Sequence, residues 1–428
     1  MVKDLPGILE ELISRINRMR ISSDAGPYFS RARCGRGIDL SMKSIILNAQ
    51  FQLLSATNLC LFLIMATWTY LPLYIVEIGG DVADAGIVMG SLGVTSLGSI
   101  PLLTPLMDKY GRKIFIVAGV FLAGVSNVGF LLFDAYSPLM ILVRLLQGVA
   151  FAACFNGCST GVVDLIPPEH RAQGIGIFGV SGSLAVAVGP YLGETVLLAW
   201  GFPAFFLLLT GFGLLGFGLA LMVKEPSRKA GHEGLRDFFP TAFRDRHYIM
   251  MIVAAIFGSA FAAMNTFFPL YAKSIGLRAG VFFTCYGVSL VVVRVLLGEI
   301  ADRVSRKRLI FACLLGFGSM LILTSMISTV WHMVILGVLF GLLQGLSYPA
   351  MMAQMVDRSR ETNRAAVVGL FTGSFGAGIN VSMLVWGYVA ELTGLAAMYM
   401  VGGILVYLAA AISIYMIWGT AAAKRSPA

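Results

Sequence analysis

Two cationic side chains stand where charge is costly. Arg144 and Arg294 each fall inside a long apolar run of this 428-residue chain. An arginine at the middle of a lipid-crossing segment costs at least ~2.5–3.5 kcal/mol, so each must reach a partner, a polar cavity or the interface. Arg144 has Gln147 three residues on, on the same helical face. That pair suits a proton relay or an anion contact, or an arginine satisfied by the carbonyls of a neighbouring helix. Arg294 has Glu299 and Asp302 ahead of it at the end of its run, and it can pair there or snorkel. The acids tell the complementary story. Glu77, Asp81, Asp84, Asp134, Glu194 and Glu391 sit at one set of run ends, and Asp108, Asp164, Glu169, Glu299, Asp302 and Asp357 at the other. The four histidines fall in loops or at run ends. A bare metal cation wants carboxylate, imidazole or thiolate ligands in its cavity, and a cationic drug wants a buried acid. The pattern therefore favours an anionic or neutral ligand, with no metal site and no cofactor. Cys154 and Cys158, four residues apart, could form a soft metal pair, but they read better as small packing residues.

Composition says what must position these groups. Apolar residues make up 58% of the chain and charged residues 12%, about half the ~25% of a soluble domain. Mean hydropathy is +0.85. Twelve apolar runs can be marked, roughly 45–76, 85–106, 114–133, 138–164, 173–198, 201–223, 248–272, 280–300, 309–328, 333–356, 365–391 and 396–418. Most reach the ~20 residues that cross a bilayer, and their lack of alternation predicts helices rather than barrel strands. The formal charge of +9 comes in short bursts between these runs, with no basic stripe, which argues against a nucleic-acid partner. Residues 1–44 hold no apolar core or cleavage site, so the first run is expected to serve as the targeting signal. Within them, Leu5, Ile8, Leu9, Leu12, Ile13, Ile16 and Met19 form an apolar stripe beside Arg15, Arg18 and Arg20. This predicts a basic amphipathic helix that meets lipid or a protein partner through residues 1–40.

With the N-terminus placed in the cytoplasm, the loops on that side carry nearly all the Lys and Arg, while Lys273 and Arg278 stand alone on the other. The positive-inside rule then puts both termini in the cytoplasm. The polar stretch 224–247 divides the runs into two sets of six, and the sets repeat. Thr69-Tyr-Leu-Pro72-Leu-Tyr74 recurs as Thr266-Phe-Phe-Pro269-Leu-Tyr271. Asp108 through Lys113 recurs as Asp302 through Lys307, and Leu145-Leu-Gln147-Gly148 as Leu342-Leu-Gln344-Gly345. Three ordered matches at a shift of ~195 residues mark duplicated halves. The expected organisation is a tail (1–44), a six-helix bundle (45–223), a linker (224–247), a second bundle (248–418) and a short tail (419–428). Duplicated six-helix halves are how many secondary transporters are built, with the substrate site between them near mid-membrane.

The chain resembles the major facilitator superfamily over about 45–418. The family's loop motif between helices 2 and 3 is matched by Asp108, Lys109, Gly111, Arg112 and Lys113, with Thr104 where its first Gly stands. The second copy keeps Gly298, Asp302, Arg303, Arg306 and Lys307. Arg144, Gln147 and Gly148 match the helix 4 element. Gly189, Pro190 and Gly193 match the helix 5 signature of drug- and sugar-efflux antiporters, with Glu194 where another Gly is usual. In its length, its tail and its 41–58 region the chain is also similar to the magnetosome-membrane branch of the superfamily. The resemblance implies an all-α polytopic fold of twelve transmembrane helices in two pseudo-symmetric bundles. It implies a substrate path along helices 1, 4, 7 and 10, where Asn58, Gln147, Asn156, Asn265, Gln344 and Tyr348 are the polar candidates beside Arg144 and Arg294. Each is either a ligand contact or glue between helices. It implies a cytoplasmic latch at Asp108, Gly111, Arg112, Asp302 and Arg306, for which a purely topogenic loop is the alternative, and a helix 5 kink at Gly189, Pro190 and Gly193.

The expected function is secondary transport of a small anionic or neutral solute by alternating access, coupled to protons, in a bacterial inner membrane or a vesicle derived from it. The magnetosome branch would make the cargo iron as a chelate. Drug or sugar efflux is the alternative, and a non-transporting scaffold or sensor is the alternative of another class. No nucleophile–base pair or Gly-rich phosphate loop suggests an enzyme.

Overall fold

A computed structural model describes residues 48–167, 170–225, 247–293, 305–357, 359 and 364–423. The amphipathic stripe of the tail, most of the linker, Arg294 and Asp302 lie outside the described residues. The described chain is helical throughout. Lipid offers no partner for a main-chain N–H or C=O, so each crossing segment closes its own hydrogen bonds.

The first span, α1, runs Ala49–Glu77 and tightens into a 3-10 turn at Trp68–Tyr70. Then come α2 (Val82–Tyr110), α3 (Lys113–Leu132) and α4 (Met140–Leu165). A continuous helical stretch, Arg171–Leu221, is broken at Gly201, whose φ of 74° turns the chain between α5 (171–200) and α6 (202–221). The second set is α7 (Tyr248–Ser274), α8 (Ala279–Val292), α9 (Arg306–Thr324), α10 (Val330–Val356), α11 (Arg364–Thr393) and α12 (Leu395–Ala423). Among the described residues, ten stretches meet the length and apolarity of a membrane span, the α5–α6 pair counting as one and α8 being the shorter apolar helix. The twelve expected helices are therefore all present.

The repeated sequences do matching work. The Tyr74 hydroxyl donates to the carbonyls of Phe130 and Phe133 at the end of α3, both at 2.8 Å. Its counterpart Tyr271 donates to the Ser325 carbonyl after α9, also at 2.8 Å. In each half this tyrosine pins the first helix to the end of the third.

Between the halves, α2 packs on α11 and α5 on α8, as a two-fold-like exchange requires. Gly86 of α2 meets Gly387 of α11 so closely that a Cβ at Gly86 would lie 2.9 Å from the Gly387 Cα. Small residues permit that approach, and dispersion is the main attraction left between helices in lipid. The contact persists to Leu97 and Gly376. Beyond it, open space surrounds Gly98 and Gly373, and Leu102 is 69% exposed.

Candidate functional site

Arg144 is 2% exposed and enclosed by the first half. Its Nη1 donates to Gln147 Oε1 at 2.9 Å and its Nε to the Val88 carbonyl of α2 at 3.4 Å. The guanidinium lies over the Trp68 ring, 4.5 Å from its centroid. Such a cation–π contact strengthens when water is excluded. Trp68 Nε1 donates to Asn127 Oδ1 at 2.8 Å, and Gln147 Nε2 reaches the same oxygen at 3.3 Å. Asn127 Nδ2 returns to the carbonyls of Ala123 and Gly124. The network joins α1, α2, α3 and α4 and sets the 3-10 turn of α1. Arg144 and Gln147 thus face the bundle interior, not an open wall. Asn127 is absent from the sequence candidates. A mid-helix asparagine one residue after a serine was its only signal.

The other polar candidates divide by environment. Asn58 on α1 donates to Ser181 of α5 at 2.8 Å, while its Oδ1 is buried with no hydrogen-bond partner among the described residues. Asn265 on α7 donates back to the Phe261 carbonyl at 3.0 Å, and its own carbonyl accepts from the Thr69 hydroxyl across the halves. Asn156 is half-buried on α4, and its carbonyl accepts from Thr160 at 2.7 Å. Gln344, the repeat partner of Gln147, is 8% exposed, and its Oε1 has no hydrogen-bond partner among the described residues. Tyr348, one turn on, packs edge-on to Phe371 and Phe375, each at 5.1 Å. Rings missing from the sequence candidates lie along the same helices. Phe62 of α1 meets Phe151 and Phe155 of α4 at 6.0 and 5.6 Å. Phe261 of α7 meets Phe340 and Phe375 at 5.8 and 5.9 Å. Phe151 and Tyr348 are repeat mates, which the duplication could have revealed. The result is buried amide oxygens beside half-buried aromatic faces on both halves.

The end of the molecule near Glu77 is stitched across the halves. Glu77 of α1 pairs with Lys273 of α7 at 3.2 Å. Glu391 of α11 accepts from the Val82 N–H of α2 at 3.0 Å. Glu194 of α5 accepts from the Gly280 N–H of α8 at 3.1 Å. Tyr70 of α1 packs edge-on to Phe283 of α8 at 6.4 Å. A cavity of about 300 Å³ opens here, lined by Tyr70, Glu77, Glu194, Lys273 and Arg278 among others.

The opposite end holds the described residues of the expected latch, Asp108, Gly111, Arg112 and Arg306. Arg112 is buried and forms its ion pair with Asp164 at the end of α4, while its Nη1 also reaches the Thr160 carbonyl at 3.1 Å. Asp108, the expected latch carboxylate, is exposed. It lies one turn back on α2, and Gly111, with φ of 94°, turns Arg112 away toward α4. Glu225, after α6, accepts from the N–H groups of Arg112 and Lys113 at 2.7 and 3.1 Å. A carboxylate there satisfies free donors at the start of α3. Burial pulls the Arg112 guanidinium below its usual range, against the opposing pull of Asp108 and Glu225. In the second half Arg306 pairs with Asp357 at the end of α10, the counterpart of Arg112 with Asp164.

Gly189 and Pro190 do not interrupt the helical angles of α5; the non-helical residue of that stretch is Gly201. Gly189 instead lets α5 lie close to α1, where a Cβ would sit 3.1 Å from Thr67 Oγ1, and Gly193 also abuts Thr67. Cys154 and Cys158 are fully buried, Cys154 against Gly119 of α3.

A family model described as Major Facilitator Superfamily matches residues 53–282 and 277–428. The Staphylopine export protein of Staphylococcus aureus is 24% identical over 363 residues, covering 79% of this chain and 88% of that protein. Quinolone resistance protein NorA of Staphylococcus aureus is 23% identical over 208 residues, 47% of this chain and 53% of that one. Among solved structures, the nucleoside transporter NupG superposes with a TM-score of 0.74 at 16% identity, covering 87% of this chain and 99% of NupG.

Proposed function

The chain belongs to the Major Facilitator Superfamily, and we propose that this membrane transporter exports a small neutral or anionic organic solute with a planar ring, by alternating access and in exchange for protons. The observation that carries the proposal is the one-sided closure. Hydrogen bonds, an ion pair and ring contacts join the halves at the Glu77 end, whereas toward the other end the contact of α2 with α11 runs to Leu97 and Gly376 and Leu102, further along α2, is 69% exposed. That is the arrangement of one access state. The Arg112 end carries the lysine- and arginine-rich loops, so the positive-inside rule sets it in the cytoplasm and makes the closed end the outer one.

The solute's chemistry follows from the side chains on α1, α4, α7 and α10. Asn58 and Gln344 offer amide oxygens that need donors, and Phe62, Phe155, Phe261 and Tyr348 offer aromatic faces. An amide left unpaired in a buried setting costs ~1–3 kcal/mol, which a ligand donor or an entering water recovers. Export as the direction draws on the printed names of the staphylopine and quinolone relatives. Iron chelate as cargo draws only on the likeness of the tail and the 41–58 region to the magnetosome branch. Arg144 acts here by holding the 3-10 turn of α1, beside the cross-half bond of Thr69.

The test is flux in proteoliposomes with and without a pH gradient, across a panel of planar neutral solutes, planar anions and an iron chelate. The expected result is at least a tenfold gradient-driven rise for one planar class. Leak-level flux for the whole panel, with or without the gradient, overturns the proposal.

A further inference from the structure

We propose that the Asn265 carbonyl of α7, set free by Pro269, is a main-chain catch for the Thr69 hydroxyl of the other half, and that this bond holds the Glu77 end shut. The proposal deepens the transport reading and rests on its two access states. In a helix each carbonyl accepts from the N–H four residues on. Proline has no N–H, so a proline within a helix leaves the carbonyl four residues before it without that partner, and its ring crowds the same oxygen. The repeated Thr-x-x-Pro sequence does this twice. Pro72 frees the Trp68 carbonyl in α1, and Pro269 frees the Asn265 carbonyl in α7.

The two halves satisfy the freed carbonyl differently. In α1 the chain tightens into the 3-10 turn Trp68–Tyr70, and the Leu71 N–H, three residues on, donates to the Trp68 carbonyl. α7 stays helical through Asn265 and Pro269. Its freed carbonyl accepts instead from the Thr69 hydroxyl, which the 3-10 turn of α1 carries to the boundary between the halves. α7 packs against that turn, and Thr69 is 5% exposed. The Asn265 side chain does not compete for the hydroxyl, because its Nδ2 turns back to the Phe261 carbonyl at 3.0 Å.

The second, independent feature is Thr266, the repeat mate of Thr69. It is fully buried, and its hydroxyl has no hydrogen-bond partner among the described residues. A symmetric second bond would run from Thr266 to the Trp68 carbonyl, but the 3-10 turn already supplies a donor to that oxygen. One catch is made where the duplication offers two. Its strength suits a contact that breaks in every cycle. Once the end opens, water replaces the hydroxyl at the carbonyl, so the net value of the bond is small. While the end is closed, the carbonyl has lost its helical donor to Pro269, and removing the hydroxyl leaves it dry. The catch carries no charge, so salt does not screen it, unlike the Glu77–Lys273 pair at the same end.

The experiment uses the full chain in lipid nanodiscs, with native cysteines replaced and spin labels at Ala135→Cys and Ser328→Cys. Both positions are exposed, one in each half, in the loops after α3 and α9. Pulsed dipolar distances give the ratio of a long, open component to a short, closed one. Thr69→Val removes the hydroxyl and keeps the branched shape. It should raise that ratio at least fivefold, equally at low and high salt. Thr69→Ser, which keeps the donor, should match the parent, and so should Thr266→Val. Pro269→Ala returns an N–H to α7 and gives the Asn265 carbonyl a partner within its own helix. With Pro269→Ala present, adding Thr69→Val should change the ratio less than twofold. A Thr69→Val protein with the parent's ratio overturns the catch. So does a Thr69→Ser or Thr266→Val protein that opens as far as Thr69→Val, or a Thr69→Val effect that survives Pro269→Ala in full. Distances do not depend on knowing the solute. Flux of a panel solute with a distance indifferent to Thr69→Val sinks the catch alone. A distance that answers to Thr69→Val, without flux of any panel solute, sinks the transport reading alone.

Discussion

The two ends of the molecule use charge in opposite ways. At the Arg112 end, the described ion pairs close within a half: Arg112 with Asp164 joins α3 to α4, and Arg306 with Asp357 joins α9 to α10. At the Glu77 end, Glu77 with Lys273 and Glu194 with Gly280 cross from one half to the other. Intra-half pairs stay made as the halves rock, so they serve each bundle as a body. Cross-half contacts must break in every cycle, so they can be worth only a little each. The burial follows that division. The Arg112 guanidinium is buried inside a half, whereas the side chains of Glu77 and Lys273 are 53% and 62% exposed.

Asp164→Ala is the severest challenge to this contrast. It leaves the Arg112 guanidinium buried without its carboxylate, and removing one partner of a buried pair costs roughly 3 kcal/mol or more. A clear fall in the thermal unfolding midpoint in detergent is expected, with no change in the distance between spin labels placed at the exposed positions 135 and 328, one in each half at the Glu77 end. If that distance changes instead of stability, the pair is not internal to a half. Gly86→Leu comes next. It drives a side chain into the α11 backbone, an overpacking of about 1–3 kcal/mol placed on the contact between the halves. The expected readout is a longer distance at the Glu77 end, with the unfolding midpoint little affected. A large loss of stability without opening would show that α2 and α11 form one body. Glu77→Gln and Arg306→Ala should be the mildest. Both remove exposed pairs worth about 0–1 kcal/mol and screened by salt. Glu77→Gln should nevertheless favour the open end slightly at low salt, and Arg306→Ala should not. Equal effects on the distance would erase the distinction between the ends.

Much of the fold was legible in the sequence for a local reason. A segment in lipid must satisfy its own backbone, so length and apolarity alone predict Ala49–Glu77 or Val330–Val356 as helices. The duplication was legible because the same tyrosine is needed to pin the same helix pair, as Tyr74 and Tyr271 show. Gly189-Pro190 predicts a kink from residue type alone; in the structure α5 keeps helical angles there, and Gly189 and Gly193 serve its close approach to α1. The site was less legible. Asn58, Asn265, Gln344 and Tyr348 could be named from residue type and run position, but the rings that frame them could not, since phenylalanine is common on every lipid-facing surface.

The sequence by itself settled the number of helices, their repeat and the rarity of charge inside them, because each is set by residues within one turn or one span of each other. Tertiary structure alone decided which charge meets which. Arg112 had Asp108 four residues away, yet it pairs with Asp164; Glu194 finds its donor on a helix in the other half. A carboxylate's partner depends on which helix ends are packed side by side, and helix packing in lipid is chosen by the fit of small residues such as Gly86, Gly280 and Gly387 rather than by the charges themselves.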